Sequence, residues 1–307
     1  MEREQQLRWE REKAPLAASA AALSAILTIA GAVYLQSKIK TSPADSVESI
    51  LLVHGHKSDL LISAVLQAIG TALLAPALYY LFRATSFRRP QLPAAIKYLV
   101  VLAPILGGVT TVIRQVQIAH ASDSIVASLP LPPAAAKTLV SDKVGETPLV
   151  VVGGIATAAA LGIAFMFLLL SLNAMRAGLL SKFIGTLGII VGVLGVLPIF
   201  PVPIVQTFWL GAVAVLFLNR WPQGRGPAWD SGEAIPWPTA QDRRDALNPD
   251  AAPQRPLFGR PRATAPAGPD EDAEADRTEV QHTREAARPR QSATHPRSKK
   301  RKRKRRG

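Results

Sequence analysis

Apolar positions along this chain gather into six blocks, at about 14–36, 60–81, 94–113, 149–172, 183–197 and 202–218. A helix rises 1.5 Å per residue, so about 20 apolar residues cross a hydrocarbon core of roughly 30 Å. The first four blocks meet that length. The last two are shorter and are separated only by the uncharged turn at 198–201. The pattern predicts an all-α, polytopic transmembrane bundle of six spans, preceded by a charged flank at 1–13. A Trp/Pro/Gly-rich juxtamembrane segment is expected at 220–239 and a disordered tail at 240–307.

The small residues inside the blocks carry a second pattern. Gly185, Gly188, Gly192 and Gly195 recur at spacings of three, four and three, which places all four on one stripe of a helix and predicts a close helix–helix contact. Gly154, Ala158 and Gly162 form a similar face on the fourth span. That face is the first expected partner of the stripe, and a second copy of the chain is the alternative.

Between the spans, Val47, Ile50, Leu51 and His54 share one helical face, and 134–140 reads as another short helix. The two are expected to form a cap on one side of the bundle, beside a third helix that projects beyond the bilayer. His54 and His56 have only Glu48 and Asp59 as near acids and no third histidine close by, so they read as a solvated pair rather than a metal site. Trp221, Trp229 and Trp237 recur at eight-residue intervals; Trp221, directly after the last span, is expected as an interfacial anchor, and the other two are expected to lie against headgroups or the underside of the bundle.

Composition changes this picture at the ends of the chain. Of the 307 residues, 48% are hydrophobic, yet 36 Lys and Arg against 22 Asp and Glu give a formal charge of +14. Residues 240–307 hold 18 basic and 10 acidic side chains and so supply +8 of that excess. The final run comprises Arg297, Lys299, Lys300, Arg301, Lys302, Arg303, Lys304, Arg305 and Arg306. It suits anionic lipid headgroups or, without base stacking, RNA and ribosomes. No aromatic residue follows Phe258 to support stacking.

The flank at 1–13, Arg83, Arg88, Arg89, Arg176, Lys182, Arg220 and Arg225 fall on one side of a six-span topology. By the positive-inside rule that side is the cytoplasm, which puts both termini there and the turn at 198–201 outside. A cleaved signal peptide ending near Ala30-Gly31-Ala32 competes for the first block. Its length exceeds the usual 7 to 15 residue apolar core and favours a retained helix.

Chemistry is sparse. There is no cysteine, so disulfides, thiolate metal sites and cysteine nucleophiles are excluded. No span carries an acid, an arginine or a histidine near its centre, which argues against a proton-driven transporter. No HExxH, GxSxG or phosphate-cradling glycine loop occurs, so no enzyme activity, cofactor or metal is assigned. Gln67 and Gln206, with Pro104, are the candidates for lining a small polar cavity.

The stretches SLNAMRAGLLSKFIGTLGIIVGVLGVLP, VQTFWLGAVAVLFLNRWPQGRGPAWDSGEAIPWP and LLISAVLQAIGTALLAPALYYLFRAT resemble a group of uncharacterised multispanning membrane proteins of actinobacteria. The resemblance covers the membrane region to about residue 239 and implies topology and localisation, with no activity or site residues to carry over. The leading expectation is a noncatalytic membrane or assembly protein of the cytoplasmic membrane. A facilitator for a small or lipophilic solute is the alternative, and an insertase-like factor with a ribosome-contacting tail is a second.

Overall fold

The computed structural model describes residues 2–196, 202–222 and 224–238. The expected turn at 198–201 and the tail at 240–307, including its polybasic end, lie outside the described residues. Among the described residues there are ten α-helices and no strand. They are α1 (Arg3–Lys38), α2 (Ser46–Gly55), α3 (Lys57–Ala72), α4 (Leu74–Arg88), α5 (Ile96–Val126), α6 (Pro133–Val144), α7 (Thr147–Arg176), α8 (Lys182–Val196), α9 (Val202–Phe217) and α10 (Pro227–Ser231).

The flank at 1–13 is not a separate element. Its Glu, Gln, Arg and Leu residues are good helix formers, and from Arg3 onward they extend the first span at its N-terminal end. The second block is α3 and α4 together. Leu73 joins them with helical backbone angles (φ −67°, ψ −11°), so Lys57–Arg88 runs as one 32-residue apolar helix. With α1, α5 and α7 this makes four helices long and apolar enough to cross a membrane by length and composition. The helices α8 and α9 have 15 and 16 residues.

The bundle is apolar outside as well as inside. Leu16, Ile26, Val33, Leu102, Val109 and Phe165 are all exposed. A water-facing surface seldom carries so much contiguous apolar area, whereas a hydrocarbon-facing one does. Because lipid tails are as apolar as leucine, helices here associate by close packing and interhelical hydrogen bonds. The pair α1 and α3 illustrates both. Ser24 Oγ donates to the Gly70 carbonyl (2.6 Å) and Ser63 Oγ donates to the Gly31 carbonyl (2.9 Å), a reciprocal clasp between antiparallel helices. A Cβ added at Gly108 would meet the Ala68 carbonyl oxygen at 2.6 Å, so α5 approaches α3 just as closely.

The alanines of α1, among them Ala14, Ala17, Ala18 and Ala21, form a small buried face in the same core as Leu78, Leu81, Trp209 and Phe217. At the opposite end, α2 and α6 pack on the projecting part of α5 through Ile50, Ile125 and Val140. This is the expected cap, and it gives the bundle two distinguishable ends. The base carries the N-terminus and the C-terminal end of α4, and the cap carries α2 and α6.

After α9 the chain turns through Asn219, whose φ of 57° is left-handed and whose Oδ1 accepts from the Arg225 backbone N–H (2.9 Å). The segment 224–238 then crosses beneath the bundle. A Cβ on Gly178 (φ +77°) would collide with the Ile235 carbonyl, so only glycine fits there. Trp229 Nε1 donates to the Leu179 carbonyl (2.9 Å). Of the two surfaces expected for this tryptophan, the underside of the bundle is the one it takes.

Candidate functional site

Two arrangements stand out, one at the base and one where the helices converge at mid-length. At the base, Glu10 of α1 and Arg88 of α4 form an ion pair with side chains 2% and 0% exposed. Arg88 Nη1 and Nη2 donate to Glu10 Oε1 (2.6 Å) and Oε2 (3.0 Å), the two-pronged geometry that only a guanidinium supplies. The remaining donors go to the Ala84 and Ala228 carbonyls at 2.8–2.9 Å. The second of these carbonyls belongs to α10, so one side chain ties together α1, α4 and the C-terminal segment.

The carboxylate is equally occupied. Gln6 Nε2 donates to Glu10 Oε1 (2.9 Å), and the Glu10 backbone carbonyl accepts from the Tyr80 hydroxyl (2.9 Å). Aromatic rings wall off the pair. Tyr80 stacks on Trp9 and on Trp229 with centroids 5.5 and 5.8 Å apart, and Arg83 lies 3.9 Å over the Trp9 ring. A half-satisfied buried ion pair would cost several kcal/mol, and this one leaves no charge unmatched.

Sequence reasoning missed this site. In the sequence Arg88 reads as one of the basic residues on one side of the spans, and Glu10 as one of several alternating charges in the flank. A signal was nevertheless present, because Gln6, Glu10, Ala14, Ala17 and Ala21 lie at spacings of three and four and continue the buried face of α1 into the flank.

The second arrangement is a cavity of about 310 Å³ where α3, α4, α5, α7, α8 and α9 converge. Its walls include Leu74, Ala160, Phe167 and Val191, and its polar groups are Thr71, Thr111 and Gln206. Both threonine hydroxyls are committed to their own helices, Thr71 to the Gln67 carbonyl and Thr111 to the Gly107 carbonyl, each at 2.8 Å. Among the described residues the Gln206 amide makes no hydrogen bond.

Gln67 is not part of this cavity. Its Nε2 donates to Ser63 Oγ (2.9 Å), and its side chain fills the notch that Gly31 leaves in α1. The expected pairing of Gln67 with Gln206 therefore separates into an α1–α3 contact and a cavity wall. Pro104 is buried in α5 and does not line the cavity either.

The glycine stripe packs on α7, though not on the expected face. Added Cβ atoms would meet Met175 at Gly185 (2.8 Å), the Ala164 carbonyl at Gly192 (2.7 Å) and Ala164 Cβ at Gly195 (3.1 Å), while Gly188 abuts Ser171 and Trp209. Gly154 has nothing within 4 Å, Ala158 is exposed, and Gly162 faces Ala103 of α5 at 3.0 Å. The correction has a simple cause. The face of Gly154, Ala158 and Gly162 lies about a third of a turn around α7 from the side that carries Ala164, Leu168, Ser171 and Met175, and its packed member, Gly162, is turned to α5.

The two histidines of α2 and its C-cap pair with different carboxylates, His54 with Asp123 (3.0 Å) and His56 with Asp59 (3.3 Å). Lys57 also contacts Asp123. The two contacts to Asp123 brace α2 and the start of α3 against α5.

Fold and sites together define an all-α bundle of the membrane-embedded class, with an ion pair sealed into its base and a cavity at its helix junction. No family model matches this chain, and neither does any curated protein or solved structure.

Proposed function

We propose that this chain is a multi-pass protein of the bacterial cytoplasmic membrane, with both termini in the cytoplasm, acting without catalysis as a membrane or assembly protein. In this reading it presents its basic tail, from a fixed point, to anionic lipid headgroups or nucleic acid. The observation that carries the proposal is the Glu10–Arg88–Ala228 junction. A buried ion pair is a costly way to hold two helices together. Here it fixes the segment from which the tail departs, which a freely trailing tail would not need. The basic side chains gathered at the base, with Arg176, Lys182 and Arg220 beside the flank, support a cytoplasmic base by the positive-inside rule. Of the six expected spans, the four long helices are assigned as crossings, and α8–α9 leaves and returns at the base.

The test is a chain ended after Thr239, reconstituted and compared with the full chain for co-sedimentation with anionic vesicles and with RNA. Several tail cations at about 1 kcal/mol each put the expected loss of affinity above tenfold for one of the two. Unchanged binding to both would overturn the tail's role.

A second reading, a facilitator for a small or lipophilic solute, is favoured by the cavity and by the unpaired Gln206 amide within it. Solute flux into proteoliposomes that disappears in Gln206→Leu supports it, and equal flux with and without protein retires it.

A further inference from the structure

The pairing of α8 with α7 has a measurable end. Gly185 faces Met175, Gly192 faces Leu168 and Ala164, and Gly195 faces Ala164. Continuing that antiparallel register sets Val196, the last described residue of α8, level with about Ile163. From there α7 runs another 16 residues to Thr147, about 24 Å farther toward the cap. Only five residues separate Val196 from Val202, so chain length alone limits any further advance to about 10 Å. The apolar stretch of α7 at 149–172 has its midpoint near residue 160. The hairpin therefore stops near mid-depth.

The other side of the hairpin agrees. Phe217 at the end of α9 packs on Tyr80, whose hydroxyl reaches the Glu10 carbonyl at the base. The 16 residues of α9 rise only about 24 Å from that level, short of the roughly 30 Å a crossing needs. Beyond the tip, the face of α7 toward the cap is bare. On the side that faces α8, Val150, Thr157 and Leu161 are exposed, and a Cβ added at Gly153 would meet nothing within 4 Å. The cavity flanks the outer part of the hairpin, running from Ala156, Ala160 and Thr111 past Gly195 and Gln206 to Phe167 and Val191.

We infer that α8 and α9 form a re-entrant hairpin that ends near the middle of the bilayer, and that the cavity beside it binds a small amphiphile drawn from the surrounding bilayer. Apolar walls with one free amide fit a ligand with an alkyl or aryl body and a single hydrogen-bonding group, such as a hydroxyl or carbonyl. At roughly 30 Å³ per water-sized unit, 310 Å³ holds on the order of ten non-hydrogen atoms. Re-entry stands on the helix register alone, and the ligand class rests on the cavity that also supports the second functional reading.

Because the chain has no cysteine, single labels can be placed without background. Exposed positions at the tip, Val196→Cys and Ile204→Cys, carry a fluorophore in bilayers whose lipids bear a nitroxide either near the headgroup or near the chain terminus. Val150→Cys toward the cap and Phe183→Cys at the hairpin's foot serve as references. The tip labels are expected to be quenched more by the chain-terminal nitroxide and the references more by the headgroup-proximal one. Tip labels that behave like Val150→Cys would mean a full crossing and would overturn the inference.

The ligand is probed with a diazirine derivative of octanol on the full chain in the same bilayers, with adducts mapped by mass spectrometry. Adducts are expected at 107–111 and 156–164, displaced by excess octanol and far less by octane. Ala160→Phe should lose them, and Gln206→Leu should make octanol and octane compete equally. Adducts spread over lipid-facing residues such as Leu102 and Phe165, with no competition, would overturn the site. Competed labelling without solute flux would keep the site and retire transport.

Discussion

Arg88 shows how much one side chain can organise. All its N–H donors are matched, by Glu10 and by the Ala84 and Ala228 carbonyls. Lysine could not reproduce the planar fork. Truncating one partner strands the other charge in a dry site, so Arg88→Ala and Glu10→Ala are each expected to cost about 3–5 kcal/mol, read as lowered unfolding midpoints in detergent. The double substitution should cost less than the sum of the two. A similar contrast separates the glycines. Gly108→Ala drives a Cβ into the Ala68 carbonyl at 2.6 Å and should cost about 1–3 kcal/mol. Gly154→Ala meets open space and should be close to neutral. Both are glycines in apolar helices, and only the neighbouring backbone distinguishes them.

Among the elements, the stripe on α8 was legible as a packing surface because helical spacing alone puts its four glycines on one side. Its partner face was not legible, because which side of α7 meets α8 depends on how the chain turns between them. The cap was also anticipated from a period-3.6 face on 46–56 and a helix-forming run at 134–140. Its ion pairs were not, since they join α2 and α3 to the far end of α5. Asp45 closes the N-terminus of α2, accepting from the Glu48 backbone N–H (2.9 Å), and that bond lowers its carboxyl pKa below the usual range. A depressed folded-state pKa stabilises above the unfolded value near 4 and is lost as pH falls through the folded value. Hydrogen exchange in α2 is therefore expected to quicken as pH falls below about 4, after correction for intrinsic rates. Asp45→Ala should show the faster exchange already at neutral pH.

At the scale of the molecule, the segment 224–238 belongs to the bundle rather than to the tail. Trp229 is 3% exposed, bonded to the Leu179 carbonyl and stacked on Tyr80. Trp229→Ala should destabilise the whole bundle by about 3–5 kcal/mol, whereas ending the chain after Thr239 should leave the unfolding midpoint unchanged. Equal loss in both would mean that the tail contributes to the fold. The base and the cap are thus built differently, one from a sealed ion pair and aromatic rings, the other from partly exposed charge pairs over three aliphatic side chains.

Length and apolar periodicity by themselves determined that this protein is helical, that its longest apolar blocks can cross a membrane, and that four glycines share one stripe of α8. Those properties follow from one-dimensional spacing, because a helix satisfies its own backbone and its period is constant. The number of long helices, four against six expected spans, came from the fold. Tertiary structure alone decided that Glu10 meets Arg88 across 78 positions, that Gln67 and Gln206 part company, and that Val196 of α8 lies level with about Ile163 of α7. Each of these depends on helix register and on the level at which one helix starts against another, and neither quantity is written in the spacing of any single segment.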